Sequence, residues 1–402
     1  MDKKDIEFQK WPIWDKEDVD AVKKVVESGK WWCGAPEDHA GEEVWKFNEE
    51  FAEFQEVKHA WACTNGTHAL EIALRALDIG KGDEVIVSDW TFYATGSSVA
   101  SIGAVPIFCD IHPETFLMDP TNLEGLITDR TKAIIPVHLG GMPCEMDTIM
   151  KIAEKHGLSV IEDCAHAHGS KYKGKTVGTW GDCGTFSFQA SKVLTAGEGG
   201  AIVTEDDDLS LKIYQVLDSG RLPGEWFYDH FVYGSDYRLG ELNAALLRTQ
   251  LKKYPEQLKM RNKQAKYLNE KLAELEGIRP QKRSEGVESC GQYVYPVYFE
   301  EAEFGGIEYG KMYEELEKAG IPTDATYPPL HTLDCFRDVK LLPNVDYSNA
   351  NWGGKKSSPE NFPVIEDVHK HSFELDQTVF LSEKKALDYI VEVLEKIKKK
   401  LN

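Results

Sequence analysis

The stretch "FSFQASKVLTAGEGGAIV", residues 186–203, places one lysine, Lys192, between two apolar runs that are typical of buried strands. A glycine-rich turn, "TAGEGG" (195–200), follows the lysine and allows the backbone to pass close to neighbouring groups. Burial makes the charged form of a lysine costly and favours the neutral, reactive amine. The alternative is an exposed loop residue, since most lysines lie at the surface.

Short apolar runs bounded by turn residues surround this stretch and predict buried strands. Helical patterns at 121–128 and 146–157 separate some of these runs. Such alternation predicts an α/β fold with a mostly parallel central sheet and helices on both faces. In a sheet of this kind, ligands bind beyond the carboxyl ends of the strands. The predicted strands are "EVIVSD" (84–89), "AVPIFCD" (104–110), "KAIIPVHL" (132–139), "LSVIEDC" (158–164), "GTFSFQ" (184–189) and "GAIVTED" (200–206).

The pattern changes near residue 239, where a long helical stretch begins, and Pro255 within it predicts a break. Beyond it come a strand-like run at 292–300 and helical patterns at 309–319 and 382–400. A chain of 402 residues is expected to form two domains. We therefore predict a large domain over residues 1–250 and a smaller α+β domain over residues 251–402.

The charge balance argues against two classes of partner. Asp and Glu number 68 against 46 Lys and Arg, a net charge of −22, which disfavours nucleic acid and anionic membranes.

The eight cysteines are dispersed without a C-x-x-C pair, so we expect neither a metal site nor disulfides. The N-terminus lacks an apolar leader and no segment is apolar enough to span a bilayer. These features predict a soluble cytoplasmic protein.

Candidate site segments follow several of the predicted strands. The turn "TNGT" (64–67) runs directly into an amphipathic helix, whose free N–H groups and dipole suit a phosphate. Asp163 ends a strand, and "DWTFYAT" (89–95) brings aromatic side chains to another strand end. Each has a structural alternative, namely a helix cap, an ion pair and core packing respectively.

Together these segments and Lys192 fit one cofactor. Pyridoxal 5′-phosphate requires a lysine for covalent attachment, a carboxylate for its pyridine nitrogen, donors for its phosphate and a flat partner for its ring. All four residue types occur here after predicted strands or at a helix start.

The motifs also carry a family resemblance over nearly the whole chain. "TNGTHALEIAL", "TFYAT", "IEDCAHAHGS" and "FSFQASKVLTAGEGGAIVT", followed by "GSDYRLGELNAALL" (234–247), resemble the DegT/StrS family of aminotransferases. That family has the fold-type I architecture, depends on pyridoxal phosphate, and makes amino sugars and aminocyclitols. "THALE", "AHAHG" and the lysine motif look most similar to the branch of 3-amino-5-hydroxybenzoate synthase and the inosose aminotransferases.

The resemblance implies roles around the cofactor ring. Lys192 matches the Schiff-base lysine, and Asp163 matches the carboxylate on the pyridine nitrogen. His166 stands where a residue, often Gln, contacts the ring hydroxyl. Phe92 matches the aromatic residue that stacks on the ring.

At the phosphate, Thr67 and His68 match two residues of the helix start, and Ser187 adds a hydroxyl. Asp236, in "GSDYR", stands where the family usually has an Asn that reaches the phosphate from the neighbouring subunit. An aspartate beside a phosphate is repulsive unless it is protonated or turned away.

Three positions are candidates for binding the substrate. His331, in "YPPLHTLDCF", resembles a histidine of the small domain that faces the substrate. Trp32, of the pair Trp31–Trp32, lies in the segment that lines the entrance in relatives, although exposed packing explains it equally well. Arg238 is a candidate to compensate for the charge of Asp236.

The function expected from this resemblance is transfer of an amino group from glutamate or glutamine to a ketone. The acceptor is a keto-sugar, expected to be nucleotide-linked, or a keto-cyclitol, and the active sites are shared in a homodimer. Alternatives are an added dehydration, as in 3-amino-5-hydroxybenzoate synthase, and a non-catalytic pyridoxal-phosphate-binding regulator. A nicotinamide oxidoreductase is disfavoured, because "GTWGDCG" (178–184) lacks the G-x-G-x-x-G spacing.

Overall fold

The computed structural model describes residues 6–34, 41–337 and 359–401. Its strands are β1 (His59–Cys63), β2 (Glu84–Ser88), β3 (Val105–Cys109), β4 (Thr131–Ile135), β5 (Ser159–Asp163), β6 (Lys171–Tyr172), β7 (Lys175–Thr176), β8 (Cys183–Ser187), β9 (Gly200–Thr204), β10 (Ile278–Pro280), β11 (Val287–Ser289), β12 (Val294–Phe299), β13 (Thr323–Asp324) and β14 (Ser372–Asp376). Its helices are α1 (Lys16–Ser28), α2 (Glu43–Gln55), α3 (Gly66–Ala76), α4 (Ala94–Ser101), α5 (Leu123–Leu126), α6 (Met146–His156), α7 (Asp207–Leu217), α8 (Glu241–Leu272), α9 (Tyr309–Ala319), α10 (Asp334–Arg337), α11 (Pro363–Lys370) and α12 (Lys384–Leu401).

A seven-stranded sheet in the order β1-β9-β8-β5-β4-β2-β3 forms the centre of the fold. The strands from β8 to β3 pair in parallel, whereas β9 is antiparallel to both of its neighbours. Every residue of β2, β3, β8 and β9 is buried, as their apolar sequences require. The predicted α/β fold with a mostly parallel sheet is confirmed, although the reversed direction of β9 was not predicted.

The parallel direction brings the candidate site segments to one edge of this sheet. β2, β5 and β8 end at Ser88, Asp163 and Ser187, and β1 leads through a short turn into α3. Because both β1 and β8 are antiparallel to β9, the carboxyl end of β1 lies at the same edge. This edge is where an open α/β sheet places its ligands.

A second sheet, in the order β10-β12-β14-β13, is formed by residues 278–376 and packs around its own apolar core. The 32-residue helix α8 precedes this sheet and runs through Pro255 without interruption, so the predicted break is wrong. Pro255 is exposed, and α8 continues through it although the Leu251 carbonyl loses its intrahelical donor. The predicted boundary between residues 250 and 251 falls inside α8, and the division into two domains stays a prediction.

A buried cluster of His138, Glu162 and Cys164 lies directly behind the strand end at Asp163. Glu162 accepts hydrogen bonds from the backbone N–H groups of Gly178 (2.8 Å) and Trp180 (2.7 Å) and lies 3.1 Å from His138 Nε2. Cys164 is the third member of this group, whose potential ligand atoms lie within 4.8 Å of one another. His138 Nδ1 accepts from the Cys144 N–H (3.0 Å), so Nε2 carries the proton and donates to Glu162. The cluster therefore has a structural function in holding the 178–181 loop.

All eight cysteines are free thiols. Burial raises the pKa of the cysteines in the central core, such as Cys63 and Cys144. Across the described ranges, no helix combines the length and the apolar character that crossing a membrane requires.

Candidate active site

A cavity of about 730 Å³ opens at the carboxyl edge of the central sheet. Its wall is formed by the turn before α3, by the segments after β2 and β5, and by the segment from β8 to β9. Two tyrosines from the second sheet and its loops complete the wall. The cavity brings together the sequence-predicted residues Thr67, His68, Phe92, Asp163, His166, Ser187 and Lys192.

Lys192 lies in the turn after β8 and is 8% exposed. Its backbone N–H donates to the Gln189 carbonyl (2.8 Å), and its Nζ lies 3.9 Å from the ring centroid of Tyr293. Burial lowers the pKa of Lys192 to about 7, and the nearby carboxylates of Asp163 and Asp324 limit the fall. A large fraction of the amine is therefore neutral near pH 7 and able to act as a nucleophile or a base.

Asp163 ends β5 with its carboxylate buried on the cavity wall. One oxygen accepts from Thr95 Oγ1 (2.8 Å) and the other from the Ala165 N–H (3.2 Å). Burial raises the pKa of Asp163, while these two hydrogen bonds and the charge of Lys192 oppose the increase. The carboxylate is thus held in place to favour a positive charge in the cavity.

The turn that leads into α3 exposes the start of the helix to the cavity. Asn65 caps the helix, its side chain accepting from the His68 N–H (2.8 Å), which leaves the N–H groups of Gly66 and Thr67 without intrahelical partners. Ser187 stands beside this turn, since a Cβ on Gly66 would lie 2.8 Å from Ser187 Cβ. The helix dipole and these donors suit a phosphate group.

His166 and Phe92 lie on the remaining walls of the cavity. His166 Nδ1 accepts from the Gly140 N–H (3.3 Å), and Nε2 lies 3.4 Å from the Tyr327 hydroxyl. Burial lowers the pKa of His166 well below its usual value, so the ring is neutral and Nε2 is a donor. Phe92 is 49% exposed and offers its ring to the cavity, 5.7 Å from the ring of Tyr327.

This geometry agrees with what comparison with known proteins shows. Residues 12–368 match the DegT/DnrJ/EryC1/StrS aminotransferase family. The chain belongs to this family. The resemblance inferred from the motifs is therefore confirmed.

Relatives of known function cover most of the chain. An L-glutamine:2-deoxy-scyllo-inosose aminotransferase from Streptoalloteichus tenebrarius is 37% identical over 335 residues, covering 80% of this chain and 79% of that protein. A GDP-perosamine synthase from Caulobacter vibrioides is 41% identical over 294 residues, covering 73% of this chain and 78% of that protein. The crystal structure of 3-amino-5-hydroxybenzoic acid synthase matches with a TM-score of 0.86 at 30% identity, covering 98% of this chain and 99% of that chain.

This DegT/DnrJ/EryC1/StrS aminotransferase uses pyridoxal phosphate as its cofactor. The cavity fits that group on its own chemistry, because it joins a buried amine, a buried carboxylate and a helix start with free donors. Two glycines permit this arrangement. Gly66 packs against Ser187, and Gly200 packs against the backbone of Asn65, where a Cβ added to Gly200 would lie 2.4 Å from the Asn65 carbonyl carbon. The roles assigned to individual residues remain predictions.

Gly200 provides a test of the phosphate site. In Gly200→Ala, the new Cβ would meet backbone atoms of Asn65, so the turn before α3 must shift. We expect the affinity for pyridoxal phosphate to fall by about 10- to 100-fold, because donors displaced by an ångström lose their geometry. Titration of cofactor-free protein, followed by its absorbance, measures this change.

Gly240→Ala is the matched control, since the nearest atom to its Cβ is Asn243 Oδ1 at 3.6 Å. It should bind the cofactor as the unchanged protein does. An unchanged affinity in Gly200→Ala would show that the turn does not hold the phosphate.

Three predicted residues lie away from this cavity within the chain. Asp236 is exposed and pairs with Ser219 and with Arg238 (2.7 Å), and its pKa is lowered by the Ser219 hydrogen bond and by the charge of Arg238. Arg238 also pairs with Asp218. Trp32 is 42% exposed and packs edge-on against Phe227. Their roles at a neighbouring subunit's site stay predictions.

The structure does not bring His331 to the cavity wall. Its side chain is 1% exposed, with Nδ1 2.5 Å from Asp89 and Nε2 3.1 Å from Glu366. Burial opposes protonation, but the hydrogen bond that His331 donates to Asp89 and the charge of Asp89 prevail and raise the pKa of His331. His331 instead ties the loop that carries Tyr327 to the end of β2, where the Leu330 N–H also donates to the Asp89 carbonyl (2.9 Å).

Among the cavity residues that were not predicted, three contact predicted site residues. Thr95 was available in the quoted "TFYAT" motif, as the hydroxyl that holds Asp163. Tyr293 and Tyr327 reach the cavity from segments that precede β12 and follow β13. A single sequence carries no local signal that Tyr293 meets Lys192 or that Tyr327 meets His166.

Proposed function

We propose that this chain transfers the amino group of glutamine or glutamate to the ketone of a cyclitol or sugar. The observation that carries the proposal is the buried Lys192 amine, with its pKa of about 7, in one cavity with the Asp163 carboxylate. The relatives support the substrate class, since one aminates 2-deoxy-scyllo-inosose and another makes GDP-perosamine.

Each of the two residues has a distinct role in this transfer. When bound, pyridoxal phosphate links covalently to a lysine amine and takes up the electron pair left when a proton leaves the amino donor. Lys192 supplies that amine and, when released, is the base that carries the proton. Asp163 places a fixed negative charge where a protonated ring nitrogen is stabilised.

The charges on the cavity wall favour an uncharged acceptor. Among the lining residues that the structure describes, Lys192 is the one lysine and no arginine occurs, while Asp163 and Glu198 are acidic. A nucleotide diphosphate is recognised by cationic side chains. We therefore place a keto-cyclitol before a nucleotide-linked keto-sugar as the acceptor.

A homodimer in the cytoplasm completes the proposal. Large aromatic side chains near residues 226–233 are exposed, Trp226 by 68% and Tyr233 by 93%, and contiguous exposed apolar surface marks an interaction site. In a dimer this segment, together with Asp236 and Trp32, would approach the neighbouring cavity. Sedimentation of the purified protein measures the assembly.

A screen of acceptors tests the proposed substrate. L-Glutamine first converts the bound cofactor to its amine form. A keto-cyclitol or a nucleotide-linked keto-sugar is then added. We expect an inosose to restore the visible band at least about tenfold faster than a nucleotide-linked keto-sugar, since the described wall of the cavity has no arginine and no lysine besides Lys192 to bind a diphosphate. Absorbance in a stopped-flow instrument gives both rates.

L-Glutamate in place of L-glutamine identifies the better donor in the same screen. The mass of the product distinguishes simple amination from the alternative with an added dehydration, because only the latter loses water. Faster reaction of nucleotide-linked keto-sugars would reverse the order of the two acceptor classes. A reaction restricted to 2-oxo acids would overturn the proposal.

A further inference from the structure

Tyr293 lies against the lysine of the site. Its ring centroid is 3.9 Å from Lys192 Nζ, and its side chain is 8% exposed. The Tyr293 N–H donates to the Gly140 carbonyl (3.2 Å), which fixes the backbone from which the ring projects. A cation over the face of an aromatic ring at this distance is attracted by the quadrupole of the ring.

The hydroxyl of Tyr293 is tied to the residue before Lys192. It lies 2.7 Å from Ser191 Oγ, and Ser191 Oγ donates to Gln189 Oε1 at 2.7 Å. An amide oxygen only accepts, so the single hydroxyl proton of Ser191 is used there and Tyr293 is the donor to Ser191. The ring and the lysine are therefore held by the same short segment.

A second support fixes that segment from the other side. Gln377 Nε2 donates to the Ser191 carbonyl, and fully buried Arg261 donates to the Gln377 carbonyl (2.9 Å) and to its Oε1 (2.6 Å). These bonds assign the orientation of the Gln377 amide, with its oxygen toward Arg261. The peptide between Ser191 and Lys192 is thus anchored to α8 and to the end of β14.

The groups that face Lys192 explain why a ring is useful there. Asp163 and Asp324 stabilise its positive charge, whereas the buried rings of His166 and His168 are neutral, since burial lowers their pKa values. Exposed Glu198 stands further along the wall. A third close carboxylate would hold the lysine as an ammonium ion, whereas an aromatic face supports the cation more weakly and leaves the neutral amine accessible.

We propose that Tyr293 is a positioning residue for Lys192: its ring face stabilises the positive charge on the lysine nitrogen, and its bond to Ser191 keeps the ring in place. This rests on the proposed function only in taking Lys192 as the lysine that binds the cofactor. The proposal gives the ring and the hydroxyl of Tyr293 different roles. Two substitutions test them separately: Tyr293→Leu removes both, and Tyr293→Phe removes the hydroxyl alone.

The test is a pH titration of the visible band in the holoenzyme, which changes as the nitrogen joining Lys192 to the cofactor gains or loses its proton. Tyr293→Leu should move the midpoint about one unit lower, a tenfold loss of proton affinity, since the cation loses its aromatic partner. Tyr293→Phe keeps the ring and should move it by less than about 0.3 unit. Tyr172→Leu is the matched control, because Lys173 lies over that ring (5.0 Å) outside the cavity, and it should leave the midpoint unchanged.

Labelling of the Lys192 amine in cofactor-free protein gives a second readout, which does not require turnover or retained cofactor. Its rate against pH, followed by peptide mass spectrometry, should show the same order of midpoints for the three Tyr293 forms. A midpoint in Tyr293→Leu within about 0.3 unit of the unchanged protein, or an equal shift in Tyr293→Phe, overturns the proposal. Failure of the proposed function appears differently, as borohydride that does not fix cofactor on Lys192.

Discussion

Lys192→Ala is expected to abolish the visible band of the cofactor–lysine link and to lower turnover by about 10⁴-fold or more. The substitution removes both the amine that attaches the cofactor and the base that carries the proton. No other lysine lines the described part of the cavity, so no neighbour can take over. Absorbance of the purified protein, borohydride reduction with peptide mapping, and steady-state rates measure the three effects.

Lys175→Ala is the matched control, because Lys175 lies outside the cavity with its Nζ bonded to the Thr179 carbonyl (3.0 Å). It should keep the band and the rate. A small primary amine added at high concentration should restore part of the activity of Lys192→Ala, since the space left by the side chain admits it. A variant that stays coloured and active would show that another residue holds the cofactor.

Much of the fold was predictable because local sequence and burial agree. The apolar runs at β2, β3, β5 and β9 are buried and lie where they were predicted. The direction of β9 was not predictable, because the run "GAIVT" pairs equally well in either direction and the turn after Lys192 decides it. At Pro255 the local rule failed, since an exposed position tolerates the lost hydrogen bond while both halves of α8 pack.

The candidate site was predictable where a functional residue lies at the end of a predicted strand or directly after it, in the same short segment of sequence. Asp163, Ser187 and Lys192 follow directly from strand ends, so the sheet alone brings them together. Tyr293 depends on how the second sheet meets the first, which no local pattern records. His331 shows the converse, because the buried carboxylate of Asp89 and the half-buried carboxylate of Glu366 bind its two ring nitrogens and make it a structural link.

Asp163→Asn is expected to lower turnover by about 10²- to 10³-fold while leaving the fold and the cavity shape intact. An amide has nearly the same size, and with its oxygen on the Ala165 N–H its NH2 group can donate to the Thr95 hydroxyl, but it carries no negative charge. A protonated ring nitrogen then loses its counter-charge in a buried place, where an unpaired charge is most costly. The visible spectrum should remain, because Lys192 is unchanged, so the loss should appear in the rate of proton removal from the donor.

Asp182→Asn is the matched control: this aspartate caps the Val160 N–H (2.7 Å) near the other end of β5 and does not line the cavity. It should change stability alone. Thr95→Val separates position from charge, since it removes one hydrogen bond to Asp163 and should cost about tenfold. Single-turnover rates with α-deuterated donor locate the affected step, because slow proton removal increases the isotope effect. An Asp163→Asn variant as fast as Asp182→Asn would mean that the charge of Asp163 does not act on the reaction, and that its function is to hold the end of β5.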